Sequence, residues 1–286
     1  MTALTLSRGE HPGRRLVRRL DVVLALAVLA FLVLAALAAP LVAPYDPVDQ
    51  DLMRRLEGPG AAHWLGTDES GRDVLSRLLH GTRVSLGASL LAVSVAVVGG
   101  VPLGLLAGYL GRGFDLVVSR FADAVLSIPG LVLAIAIATA LGPSLTNAML
   151  AVGVVYAPGF FRVTRGATIT VRGRTYVQAA ITTGCSVPRI VLRHILPNVG
   201  TPVIVKIFLT FGYAILAEAS LSFLGLGVQP PEASWGSMLK RAVRYLEQAP
   251  LLVILPGLVI LVAVLAFNTI GDGLRDALAH REREPS

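Results

Sequence analysis

Residues 176–198 read YVQAAITTGCSVPRIVLRHILPN, and the segment around them decides the fold. From 162 to 197 the chain carries six arginines (Arg162, Arg165, Arg172, Arg174, Arg189 and Arg193) and no acid, with apolar runs of membrane-crossing length on either side. Arginine-rich connections between apolar spans stay on the cytoplasmic side of a membrane. Tyr176, Gln178, Ala179 and Ala180 suit a short helix of low relief, Gly184 a break, and Leu196 with Pro197 the end of a second short helix. Such a loop is shaped to be gripped by a partner.

Composition sets the class. Of the 286 residues 54% are hydrophobic and only 15% charged, with a mean hydropathy of +0.71, whereas soluble domains are about 25% charged. The bilayer is the solvent this chain suits. A net charge of +7 and a pI near 10.2 raise nucleic acid as a partner, but the basic residues flank apolar segments and are not interleaved with stacking aromatics. Membrane lipid is the partner that charge fits. Cys185 is the only cysteine, so an internal disulfide and a paired-thiol metal or redox site are excluded, and it reads as a small packed residue.

Six apolar runs approach the roughly 20 residues a helix needs to cross about 30 Å of hydrocarbon: Val22–Ala43, Val84–Leu110, Leu116–Leu141, Leu145–Phe161, Val199–Leu226 and Leu251–Ile270, the last with Pro256 inside it. The arrangement predicts an all-α integral membrane protein. Its parts are a basic cytoplasmic segment (1–20), a first span with an external loop (21–83), a five-span core (84–275) containing the cytoplasmic loop 162–197, and a cytoplasmic tail (276–286). Five arginines before the first span place the N-terminus inside, and six crossings return the C-terminus inside. The external segment before the sixth span holds Lys240, Arg241 and Arg244 against Glu232 and Glu247, a mild exception to that rule. In the first external loop, Trp64, Asp68, Arg72 and Asp73 cluster around the turn residues Gly66 and Gly71, a group that either docks an external protein or caps the outer mouth, a cap being favoured over direct substrate contact.

Gly100, Gly104 and Gly108 recur every four residues, which puts three side-chain-free positions on one helix face for close approach of another helix. Arg120 and Asp123 are spaced to pair on one face of the third span. Lys206 is placed to snorkel to the interface. Glu218, about 18 Å further along the helix axis, is out of its reach and is the candidate for lining a path. Catalytic patterns are absent: there is no H-E-x-x-H among the histidines, no G-x-S-x-G, and no G-x-x-x-x-G-K-[ST] phosphate cradle. If nucleotide drives this protein, another chain holds it.

The 176–198 stretch resembles the "EAA" loop of ATP-binding-cassette importer permeases, in which a Glu-Ala-Ala triplet, a glycine and a final Leu-Pro recur at fixed spacing. Gln178, Ala179 and Ala180 occupy the triplet, Gly184 the glycine, and Leu196 and Pro197 the end. His194 stands where the general pattern has isoleucine, as in the peptide branch. Gln178 replaces the usual glutamate and drops a charge that would pair with the ATPase. Four further blocks, His63–Leu86, Gly108–Pro129, Leu141–Ala151 and Ile215–Gly236, resemble the second permease subunit of dipeptide, oligopeptide and nickel importers, so that the likeness spans about residues 15–278.

That resemblance implies the type I importer (MetI-like) transmembrane-domain fold, with six helices per subunit. It implies a non-catalytic subunit working beside a homologous permease, with two cytoplasmic ATPase subunits or domains that hold ATP and Mg, and an extracytoplasmic solute-binding protein. Tyr176, Gln178, Ala179, Ala180, Gly184, His194, Leu196 and Pro197 become the ATPase-coupling residues. No cofactor is implied on this chain, and the bacterial cytoplasmic membrane is its place. The implied cargo is a di- or oligopeptide, with nickel or another small solute as the alternative. A secondary transporter or channel is the rival from another class, and such carriers show internal repeats or paired broken helices, which the sequence lacks.

Overall fold

The structure, a computed structural model, describes residues 20–279. Nearly all of the 1–20 segment and the end of the tail lie outside it. Nine α-helices of eight residues or more organise the described residues: α1 (Leu20–Val42), α2 (Val74–Leu110), α3 (Arg112–Leu126), α4 (Gly130–Leu141), α5 (Leu145–Arg172), α6 (Thr175–Thr182), α7 (Leu196–Leu224), α8 (Trp235–Ala242) and α9 (Leu251–Ala279). Among these residues the only β feature is an isolated bridge between Thr67 and Asp73.

Helices α2 and α5 form the largest interface and the centre of the bundle; α4 and α7 flank α5, and α9 and α1 close the far side of α7. The approach of α2 to α5 depends on glycine. A Cβ on Gly100 would collide with the carbonyl of Ala157, one on Gly104 would lie 2.7 Å from Thr164 Cβ, and one on Gly108 2.6 Å from Thr168 Cβ. From the other helix, Gly153 answers Val95, whose Cβ would be 2.5 Å away. The partner of the glycine face is therefore α5 of the same chain. Around this pair the main core collects Ala92, Val152, Phe160, Val199, Ala214 and Leu221, and a second core gathers Leu32, Ile215, Ile260 and Phe267 around the fully buried Trp235.

Four stretches, namely α1, α2, Val187–Leu224 and Leu251–Ala277, are long and apolar enough to cross a membrane, and a fifth results if α3 and α4 count as one span. Continuous hydropathy over 116–141 predicts one straight helix. The chain instead bends by 92° between α3 and α4, because Pro129 brings no N–H to continue the ladder and disfavours helical backbone at Ile128. At 15 and 12 residues, α3 and α4 are each shorter than a bilayer crossing needs. The predicted fourth span is the first part of α5, which continues as helix through Arg162 and Arg165 to Arg172.

The predicted boundary at 83/84 falls inside α2, which starts ten residues earlier. Asp73 caps it, accepting from Ser76 N–H at 2.8 Å, so the polar turns through Arg77 and His80 are helical despite their low hydropathy. The 43–73 loop packs back on this end of α2 through a buried polar core. Asp68 accepts from Arg72 Nε at 2.7 Å and lies 3.3 Å from Arg77 Nε, and His63 meets Asp73 at 2.9 Å. Gly66 and Gly71 turn the loop with φ of +80° and +74°, and a Cβ on Gly71 would collide with the carbonyl of Asp51. Of the predicted group, Trp64 is the outlier: it is 69% exposed, and His63 and Arg77 take its place inside.

Candidate functional site

At the opposite end of α2 from that loop, the 172–196 segment folds as a compact two-helix unit. In α6, Val177 and Ala180 are one turn apart and both buried in the main core, while Tyr176, Gln178, Ala179, Thr182 and Thr183 face out. Ala180 therefore holds the unit to the bundle and is no part of its outer surface. The break has the geometry of a Schellman cap: Gly184 adopts φ +75° and donates to Ile181 O at 3.0 Å, and Cys185 N–H donates to Ala180 O at 3.1 Å. Space beyond Gly184 is open.

After the break, Val187–Arg189 starts a new helix, with Pro188 in its first turn. Pro197 is predicted to end this second helix, and it does not. The helix runs on into α7 through a widened π-helical stretch, Ile190–Ile195, which buries Ile190, Val191 and Ile195. Widened turns shift the hydrogen-bond partners, so proline, lacking an N–H, is accommodated in the first turn of α7. His194 and Leu196 are half-buried along this run, and Pro197 is exposed.

Electrostatics divide the arginines into two sets. Arg165 makes a two-pronged pair with Asp115 of α3, its Nη2 donating at 2.6 Å, and Arg162 Nη2 donates to Asp123 at 2.6 Å. Asp123 thus pairs across to α5 and not with Arg120, the partner its i,i+3 spacing suggests. Arg172 lies 5.3 Å over the ring of Tyr109, at the end of α2. Arg174, Arg189 and Arg193 are exposed and have no acidic partner among the described residues. With Tyr176, Ile181 and Val187 also exposed at 42%, 37% and 41%, the outer surface is apolar and basic together. Tyr109 and Asp115 were not legible as parts of this site, since their partners lie more than 40 residues away in sequence.

Glu218 is fully buried rather than open to a path. Its carboxyl accepts from Ser222 Oγ at 2.7 Å and Ser85 Oγ at 3.0 Å, which ties α7 to α2 beneath Trp235. Lys206 is half-buried and crosses Gly159 of α5, its Cε 3.5 Å from where a Cβ would stand. No group of three or more His, Cys, Asp or Glu among the described residues is arranged to hold a metal.

A family described as "Binding-protein-dependent transport system inner membrane component" matches residues 100–284, which include the whole two-helix unit, and one described as "N-terminal TM domain of oligopeptide transport permease C" matches residues 13–59. The chain belongs to the binding-protein-dependent transport permeases. Similar permeases include the dipeptide transport system permease protein DppC of Alkalihalophilus pseudofirmus, 44% identical over 90% of this chain and 84% of its own. The di/tripeptide transport system permease protein DppC of Pseudomonas aeruginosa is 47% identical over 86% and 84% of the two chains. The glutathione transport system permease protein GsiD of Pectobacterium atrosepticum is 42% identical over 93% and 88%. Among solved structures, inward-facing conformations of the MetNI methionine ABC transporter align with a TM-score of 0.56 at 21% identity, covering 72% of this chain and 95% of that one. At that identity the likeness establishes the MetI-like fold of this permease.

Proposed function

We propose that this permease is one membrane subunit of an ATP-driven importer of di- and oligopeptides, and that its 172–196 unit seats in a groove of a separate ATPase. The observation that carries the coupling role is the division of α6 into two faces. Val177 and Ala180 fasten it to the bundle, while Tyr176, Ala179, Thr182 and Thr183 turn a flat surface, edged by unpaired arginines, away from it. A rigid attachment on one side and a docking face on the other convert displacement of a partner into displacement of α5 and α7. Peptide cargo is supported by the names of the relatives, two of which are named for di- or tripeptide transport.

In this reading the chain itself is non-catalytic, ATP and Mg bind the ATPases, and a second permease and a solute-binding protein complete the assembly. The loop faces the cytoplasm and both termini lie inside. The purified assembly, reconstituted in liposomes with its binding protein outside and ATP inside, is expected to accumulate a labelled dipeptide and to leave nickel outside. Accumulation of nickel with no peptide uptake rejects the cargo. Peptide uptake that persists without the ATPases rejects the coupling.

A further inference from the structure

The glutamine that replaces the usual glutamate has a specific partner. Gln178 Nε2 donates to the carbonyl oxygen of Arg172 at 2.8 Å. Arg172 is the last residue of α5, and carbonyls at a helix end lack intrahelical donors. Val177 and Ala180 hold α6 to the core of the bundle, but side-chain hydrogen bonds between the ends of the two helices are few. Arg174, at the start of α6, supplies no side-chain cap, and the Gln178 bond is the only side-chain hydrogen bond joining α5 to α6 among the described residues. Beyond it the connection is firm: the guanidinium of Arg172 rests on Tyr109 of α2, and α5 is locked to α2 along the glycine face.

We propose that Gln178 is a positioning residue whose amide fastens α6 to the end of α5, so that movement of the loop passes to the α5–α2 pair as a unit. The inference rests on the docking role proposed above. A backbone carbonyl only accepts, so the group that meets it must donate. An ionised carboxylate has no proton to donate, so at this position it leaves the carbonyl of Arg172 without its partner. The amide therefore has a function that glutamate does not supply, in exchange for the lost charge toward the ATPase.

The test uses the whole assembly in liposomes and measures peptide taken up per ATP hydrolysed, the KM for ATP, and a crosslink to the ATPase from Thr182→Cys in a Cys185→Ala background. With the crosslink first established in the Thr182→Cys protein that keeps Gln178, Gln178→Ala is expected to lower uptake per ATP about two- to tenfold, the range one neutral hydrogen bond supports. Gln178→Glu lowers it at least as far. A residue that served only folding would lower the amount of assembled complex and leave the ratio unchanged. An unchanged ratio in Gln178→Ala, or Gln178→Glu matching the unsubstituted protein, overturns the proposal while the crosslink upholds docking. Absence of the crosslink before Gln178 is touched overturns docking itself, and the fastening with it.

Discussion

A Cβ on Gly104 would stand 2.7 Å from both Phe161 O and Thr164 Cβ, so Gly104→Ala must push α2 off α5. Overpacking of this kind costs about 1–3 kcal/mol. Gly87 lies on the same helix with nothing within 4 Å of its Cβ position, and alanine there is preferred over glycine by about 1 kcal/mol. Thermal unfolding of the purified protein in detergent is expected to shift down for Gly104→Ala and to hold or rise for Gly87→Ala; equal shifts would mean that the glycine face does not set the helix spacing. Gly184 poses a different question, because its neighbourhood is open and only its φ of +75° is demanding. Gly184→Ala bears the left-handed backbone penalty of about 1–2 kcal/mol and is expected to keep peptide uptake per ATP. Gly184→Arg bears the same penalty and adds bulk on the docking side, so its uptake per ATP is expected to collapse. Similar ratios in the two variants would assign the effect to strain and not to seating. The spacing of these glycines was readable in the sequence because helical geometry is local. The partners of Asp115 and Asp123 were not, because a pair formed across two helices leaves no periodic trace.

At the level of elements, the bend at Pro129 shows what hydropathy conceals. Ser127-Ile128-Pro129-Gly130 is a turn signal, yet it interrupts no apolar run, and a hydropathy average passes over it. In the same way α2 starts ten residues before its apolar part, since a capped helix needs no apolar side chains where a loop covers it. That cover depends on few groups. Asp68 is the acid shared by Arg72 and Arg77, whose side chains are 3% and 2% exposed. Removing one partner from a buried pair costs about 3–5 kcal/mol where the other charge stays buried without compensation; Arg77 is left so, whereas Arg72 keeps Glu69 at 2.9 Å. Asp68→Ala is expected to lower the unfolding temperature more than Arg162→Ala, which breaks a pair about half exposed on both sides, the kind worth about 0–1 kcal/mol. Thermal scans of the two variants side by side check the order, and the reverse order would show that the loop 43–73 is not anchored through Asp68.

For the whole molecule, the docking role depends on which end of the bundle faces which compartment. Class and bundle were legible because a lipid-exposed surface must be apolar, and α1, α7 and α9 present Leu24, Phe31, Ile204, Leu258 and Leu265 outward. Orientation rests on arginine placement, and Lys240, Arg241 and Arg244 run against it. The fold supplies local reasons for two of them. Arg241 lies 3.7 Å from Glu69. Lys240 Nζ comes within 2.5 Å of a Cβ built on Gly225, at the C-terminal end of α7, where cations are favoured. Both charges therefore have local roles on their own side, and they weigh less in orientation than the exposed Arg174, Arg189 and Arg193, which have no acidic partner. In a Cys185→Ala background, a cysteine in place of the exposed Thr182 is expected to react with a membrane-impermeant maleimide only in inverted vesicles. A cysteine in place of Trp64, 69% exposed in the loop at the other end of α2, is expected to react only in intact cells. The opposite pattern would turn the bundle over and move the docking face out of reach of any cytoplasmic ATPase.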